Sequence, residues 1–301
     1  MSIDHAISER FEFEGQLDLR ATLGTRVNVA RHDDQLVHEA WRASRTPHGL
    51  ATVRLRATAS TVHATAWGPG AHWATTQVPA LLGLYDHIDA FTAHHRVVAN
   101  LHRDHRGLRL GRTGLVWDAL APTILGQKVT TIEANRSWRS LARAFGEPAP
   151  GPTTLRIGPA PETLAKLAYH DLHQHGIERK RADILIACAR VAAKLEAIVD
   201  IPTTDAYTRM TAIPGIGIWT ASLVIGTALG DPDAIPVGDF HVPNVVSWAL
   251  AREARGTDER MIELLEPYRG HRRRVVKLLH LGNISPPKYG PRTAPRDIRG
   301  W

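Results

Sequence analysis

The residues best able to do chemistry are a glycine-rich turn and an acid beyond it. The turn, Pro214-Gly215-Ile216-Gly217, interrupts the apolar stretch "TAIPGIGIWTASLVIGTALG". Gly215 and Gly217 can take backbone conformations that cost other residues energy, and neither has a side chain to keep a ligand at a distance. The sequence after the turn reads as a helix start, whose first N–H groups have no partners within the helix and can hold a phosphate oxygen. The same small residues would equally serve a close helix–helix connection. Twenty residues beyond Trp219, Asp239 stands in "AIPVGDFHVPN". Its carboxylate can stabilise developing positive charge or orient a water, and an aspartate here is also a favourable helix cap.

These residues need a scaffold, and the composition provides for one. The chain has 301 residues, 43% hydrophobic and 22% charged, which is globular rather than disordered. It has no unbroken apolar run of membrane-spanning length, and "MSIDHAISERFEFEG" lacks the order of a signal peptide. The expectation is therefore a cytoplasmic protein with no membrane partner, and a monomer is expected although no residue pattern reports the oligomeric state. Its one cysteine, Cys188, lies in the helical run "RADILIACARVAAKL" and reads as a core thiol. Lys and Arg outnumber Asp and Glu by 37 − 30 = 7, with arginines clustered in "HRDHRGLRLGR", "IERKRAD" and "YRGHRRRVVK". Such clusters suit a polyanion running across a surface.

Organisation follows from periodicity. Val53, Leu55 and Ala57 alternate with Arg54, Arg56 and Thr58, the pattern of a half-buried strand. From Gly114 onward the apolar residues recur at helical spacing, beginning with "LVWDALAPTILGQKVTTIEANRSWRSLARAFG". The fold class expected is mainly α: a small N-terminal α/β domain with an antiparallel sheet over 1–105, a helical domain over 106–285, and a basic Pro-rich tail over 286–301. The hairpin falls at 212–218.

Taken together, "MTAIPGIGIWTASLV" and the acid of "VGDFHVPN" resemble the helix-hairpin-helix (HhH-GPD) DNA glycosylase superfamily. Within it the chain is most similar to the bacterial 3-methyladenine DNA glycosylase II group. "LAPTILGQKVT" and "HGIERKRADIL" extend the resemblance upstream, and the β-rich start matches that group's extra N-terminal domain in position and size.

The resemblance implies an enzyme of base excision repair that rotates a damaged base out of double-stranded DNA and cuts its glycosidic bond. Asp239 would be the catalytic acid residue, facing an oxocarbenium-like sugar. Trp219, Leu223 and Tyr268 would line the base pocket. Leu125 would be the wedge filling the vacated space, with Gly126, Gln127 and Lys128 on the DNA beside it. Pro214, Gly215, Ile216 and Gly217 would grip the backbone, and His271, Arg272 and Arg273 would meet phosphate at the surface. Relatives that also cut the strand carry a lysine where this chain has Trp219, so the product expected is an abasic site. One cysteine cannot supply an iron–sulfur cluster, and no zinc motif is evident. The resemblance thus implies no cofactor, leaving room for a monovalent cation at the hairpin backbone. Leu223 and the charged run at 271–273 depart from the aromatic pattern of alkylpurine enzymes, which leaves uracil or hypoxanthine open as the base, and a non-catalytic DNA-binding role as a further alternative.

Overall fold

A computed structural model describes residues 6–24, 28–31, 38–58, 61–287 and 297–298. Among the described residues five strands, β1 (Ile7–Glu12), β2 (Asn28–Arg31), β3 (His38–Thr46), β4 (Gly49–Ala57) and β5 (Thr61–Trp67), form one antiparallel sheet in the order β1-β5-β4-β3-β2. The alternation in β4 has the expected sense: Val53, Leu55 and Ala57 are buried, while Arg54 and Arg56 lie on the outer face. The inner face packs on the short helices Ala71–Thr76 and Val78–Leu81 through Ala71, Ala74, Val78 and Leu81.

Nine longer helices follow among the described residues: α1 (Arg96–Asp104), α2 (Val116–Leu125), α3 (Thr131–Phe145), α4 (Arg179–Arg190), α5 (Thr203–Thr211), α6 (Ile218–Ala228), α7 (Val242–Ala251), α8 (Asp258–Leu265) and α9 (Arg272–Leu281). Local chemistry sets their ends. Thr130 and Glu133 form a reciprocal capping box that starts α3. Helix α2 has no cap of its own; the Glu196 carboxylate accepts its Val116 and Trp117 N–H groups at 2.9 and 2.7 Å. Helices α2, α4 and α6 share a core with Leu120, Leu185 and Val224. Cys188 sits in that core, and burial pushes its thiol up to about 12.

A second helical core joins α7–α9 to Ala21, Val98 and Leu108. Ala21 and Val98 precede the boundary placed at 105, so apolar packing ties the start of the chain to its last helices. Lys277 of α9 marks the same junction. Its Nζ donates to the Thr22 carbonyl at 3.2 Å, and burial, with the nearby charges of Arg273 and Arg274, pushes its ammonium down to about 7. An unfolded lysine titrates near 10.4, so between the two values the unfolded chain binds more protons. Stability from this group therefore rises with pH across that window and is lost as pH falls through about 7. In denaturant titrations the free energy of wild type minus that of Lys277→Met should grow from neutral to alkaline pH; a flat difference would contradict this burial.

Candidate active site

The glycine turn joins α5 to α6 as a hairpin. Ile216 is buried and pins the turn to the helical core, while Pro214, Gly215 and Gly217 stay exposed. Gly215 has a φ of +89°, and a Cβ there would lie 2.4 Å from Ile184 Cδ1, so glycine is needed for the fold itself. Gly217 differs: its φ is −90° and a Cβ would meet nothing within 4 Å. It begins α6 without a side-chain cap, leaving first-turn N–H groups available. Gly217→Ala should thus keep the melting temperature and weaken binding to damaged and undamaged DNA alike, since backbone contacts to phosphate carry no sequence information. Anisotropy with matched duplexes tests this, and unaltered affinity would remove Gly217 from the interface.

Asp239 lies across from the hairpin's second helix. Its Oδ2 accepts the Trp219 Nε1–H at 2.9 Å, and its Oδ1 accepts the N–H groups of His241 and Val242 at 2.7 and 2.9 Å. Capping α7 and facing the hairpin are therefore one arrangement. Three donors fix the carboxylate's orientation, which is what a preorganised charge requires. The loop carrying it is anchored in turn by Asp258, whose two oxygens accept the Gly238 N–H at 2.9 and 3.0 Å. His280 of α9 also feels Asp239: burial lowers its imidazole and the Asp239 charge pulls it back up.

Trp219 and Leu223 stand one turn apart on α6, both half-buried. Gly126 approaches the far edge of the Trp219 ring, since a Cβ there would lie 3.8 Å from Cη2. Gln127 donates through Nε2 to the Gly215 carbonyl at 3.1 Å and to Thr220 Oγ1 at 3.0 Å. Its amide nitrogen thus clamps the turn after α2 onto the hairpin. The Ile213 and Gly215 carbonyls already accept from Ile216 N and Gln127, so a cation on the hairpin backbone would have to share them. Among the described residues no group of three His, Cys, Asp or Glu side chains is placed to hold a metal.

Three expectations need correction. Leu125 is 0% exposed within the helical core, and Arg181 Nη1 holds its carbonyl at 2.8 Å; it cannot act as the wedge in this arrangement. The exposed residue of that turn is Lys128, in the left-handed region at φ 56°. Tyr268 is 2% exposed, packed in the second helical core, with its hydroxyl bonded to the His95 backbone N–H at 3.0 Å and to His95 Nδ1 at 2.8 Å. It offers no face to a base.

The run at 271–273 is likewise structural. His271 packs edge-on against Phe91, Arg272 pairs with Glu266, and the Arg273 guanidinium is pushed down to about 10 by burial near Asp231 and Asp86. What the residue pattern missed is Phe240, directly after the acid and 83% exposed. Its position next to Asp239 was the available signal.

Residues 121–269 match the model of the HhH-GPD superfamily base excision DNA repair protein, and this part of the chain belongs to that superfamily. A DNA-3-methyladenine glycosylase of Bacillus subtilis (strain 168) is 25% identical over 168 residues, which cover 54% of this chain and 55% of that protein. The chain thus spans little more than half the length of this curated relative. Among solved structures, the 3-methyladenine DNA glycosylase from Archaeoglobus fulgidus superposes with a TM-score of 0.73 at 20% identity, over 91% of this chain and 98% of that one. A Clostridium acetobutylicum 8-oxoguanine glycosylase/lyase bound to double-stranded DNA superposes with a TM-score of 0.70 at 11% identity, over the same 91% and 98%. At these identities the fold is what is shared, and that fold serves both a glycosylase and a glycosylase/lyase.

Proposed function

We propose that the chain is a monofunctional DNA glycosylase that excises damaged bases, alkylated purines first, from duplex DNA and leaves an abasic site. The observation carrying this reading is the Asp239 carboxylate, held by Trp219 Nε1–H and two backbone N–H groups beside an uncapped helix start. The open N–H groups of α6 position a phosphate. With the nucleotide rotated out, cleavage of the glycosidic bond places positive charge on the sugar, and the fixed carboxylate stabilises it or orients the attacking water. Trp219 and the exposed Phe240 supply aromatic surface for a flat, cationic base. The test is a panel of duplexes carrying an alkylated purine, uracil or hypoxanthine, each incubated and then treated with alkali. Alkali-dependent breaks on the alkylated duplex support the reading; breaks confined to the deaminated bases reassign the substrate, and none at all leaves a DNA-binding protein.

The absence of lyase chemistry rests on the amines. A Schiff base needs an unprotonated amine at the sugar. Trp219 occupies the hairpin position, and the sequence holds no lysine between Lys194 and Lys277. Lys277 is committed to the Thr22 carbonyl. Lys128, exposed on the turn clamped to the hairpin, is read as a phosphate contact rather than a nucleophile. Borohydride added during turnover should trap no protein–DNA adduct; an adduct that disappears in Lys128→Ala would make Lys128 a catalytic amine.

A further inference from the structure

Helix α3 follows the Lys128 turn directly and presents a face the core does not use. Ser137, Leu141 and Ala142 point inward, whereas Ile132, Asn135, Arg139 and Arg143 line the opposite side at helical spacing. Ile132 is 62% exposed. Arg136 flanks this line and pairs with Asp297 of the C-terminal segment at 3.3 Å. Arg139 and Arg143 make no ion pair among the described residues. The acids at either end are committed elsewhere: Glu133 closes the capping box, and Glu147 pairs with Arg45 at 2.5 Å.

At 1.5 Å of rise per residue, Arg136 and Arg143 are about 10 Å apart along the axis. One DNA strand presents about three phosphates over that length. The turn that leads into α3 is tied to the hairpin through Gln127, so the stripe continues from the surface already assigned to DNA. We infer that Arg136, Arg139 and Arg143 form a second phosphate-binding surface for a flank of the duplex held at the hairpin, and that Asp297 competes with phosphate for Arg136. This rests on the DNA-binding part of the proposed function and not on the chemistry of Asp239. The occupant follows from charge: a row of three arginines that, among the described residues, pairs with an acid only at Arg136 matches a phosphodiester backbone.

The test uses the full chain and undamaged duplexes, read by anisotropy between roughly 50 and 200 mM salt. The double variant Arg139→Gln, Arg143→Gln changes only exposed side chains. It should bind a long duplex roughly tenfold more weakly, and the slope of log K against log salt should shrink by about 1.8, or about 0.9 for each phosphate that is no longer neutralised. A short duplex that reaches no further than the hairpin should be affected less. Asp297→Asn should tighten binding to the long duplex, and that gain should vanish when Arg136→Gln is also present. Unchanged affinity and slope for the double variant would overturn the inference while leaving the hairpin site standing. If wild type binds neither duplex, the DNA reading and this inference fall together.

Discussion

Asp239→Asn should lower the single-turnover excision rate by roughly a hundredfold or more, as when one preorganised electrostatic group is removed, while duplex affinity holds or improves. The structure also predicts a stability change. Asn can still accept the His241 and Val242 N–H groups through one oxygen, but its amide NH2 would face the Trp219 Nε1–H donor. The Trp219 hydrogen bond then goes unmade, at a cost of about 1 kcal/mol. A small drop in melting temperature beside a large drop in rate separates chemistry from capping. Equal excision by the variant would reduce Asp239 to a helix cap.

Asp86→Ala should destabilise the protein by about 3–5 kcal/mol, the usual result of leaving a buried charge without its partner. Arg274 is fully buried in α9, pairs with Asp86 and donates through Nη1 to the Leu108 carbonyl at 3.3 Å. The other oxygen of Asp86 accepts the Leu110 N–H at 2.7 Å, so one carboxylate ties the segment before α2 to the last helix. Denaturant melts of wild type and Asp86→Ala measure the loss. A change under about 1 kcal/mol would mean that water reaches Arg274 and that this junction is not sealed.

Much of the site was legible because its chemistry is local. The glycines, Trp219 and Asp239 lie within 25 residues, and one hairpin followed by one loop brings them together. The strand alternation in β4 was legible for the same reason. Leu125 misled because an apolar residue at the end of a helix reads alike whether it faces DNA or core; the deciding partner is Arg181, 56 residues away. Tyr268 and Arg273 misled because the groups they meet, His95 for the tyrosine and Asp231 and Asp86 for the buried arginine, lie far away in the sequence. A cluster of arginines announces charge, but only the fold shows which guanidinium groups are sealed against Asp86 and which, on α3, face outward.

The most direct test of the proposed activity is release of free base from methylated duplex DNA, followed by chromatography with wild type and Asp239→Asn in parallel. Wild type should release alkylated purines and leave alkali-labile sites, while Asp239→Asn should bind the same DNA and release almost none. No base released by wild type, or equal release by both, would contradict the role given to Asp239 and the activity built on it.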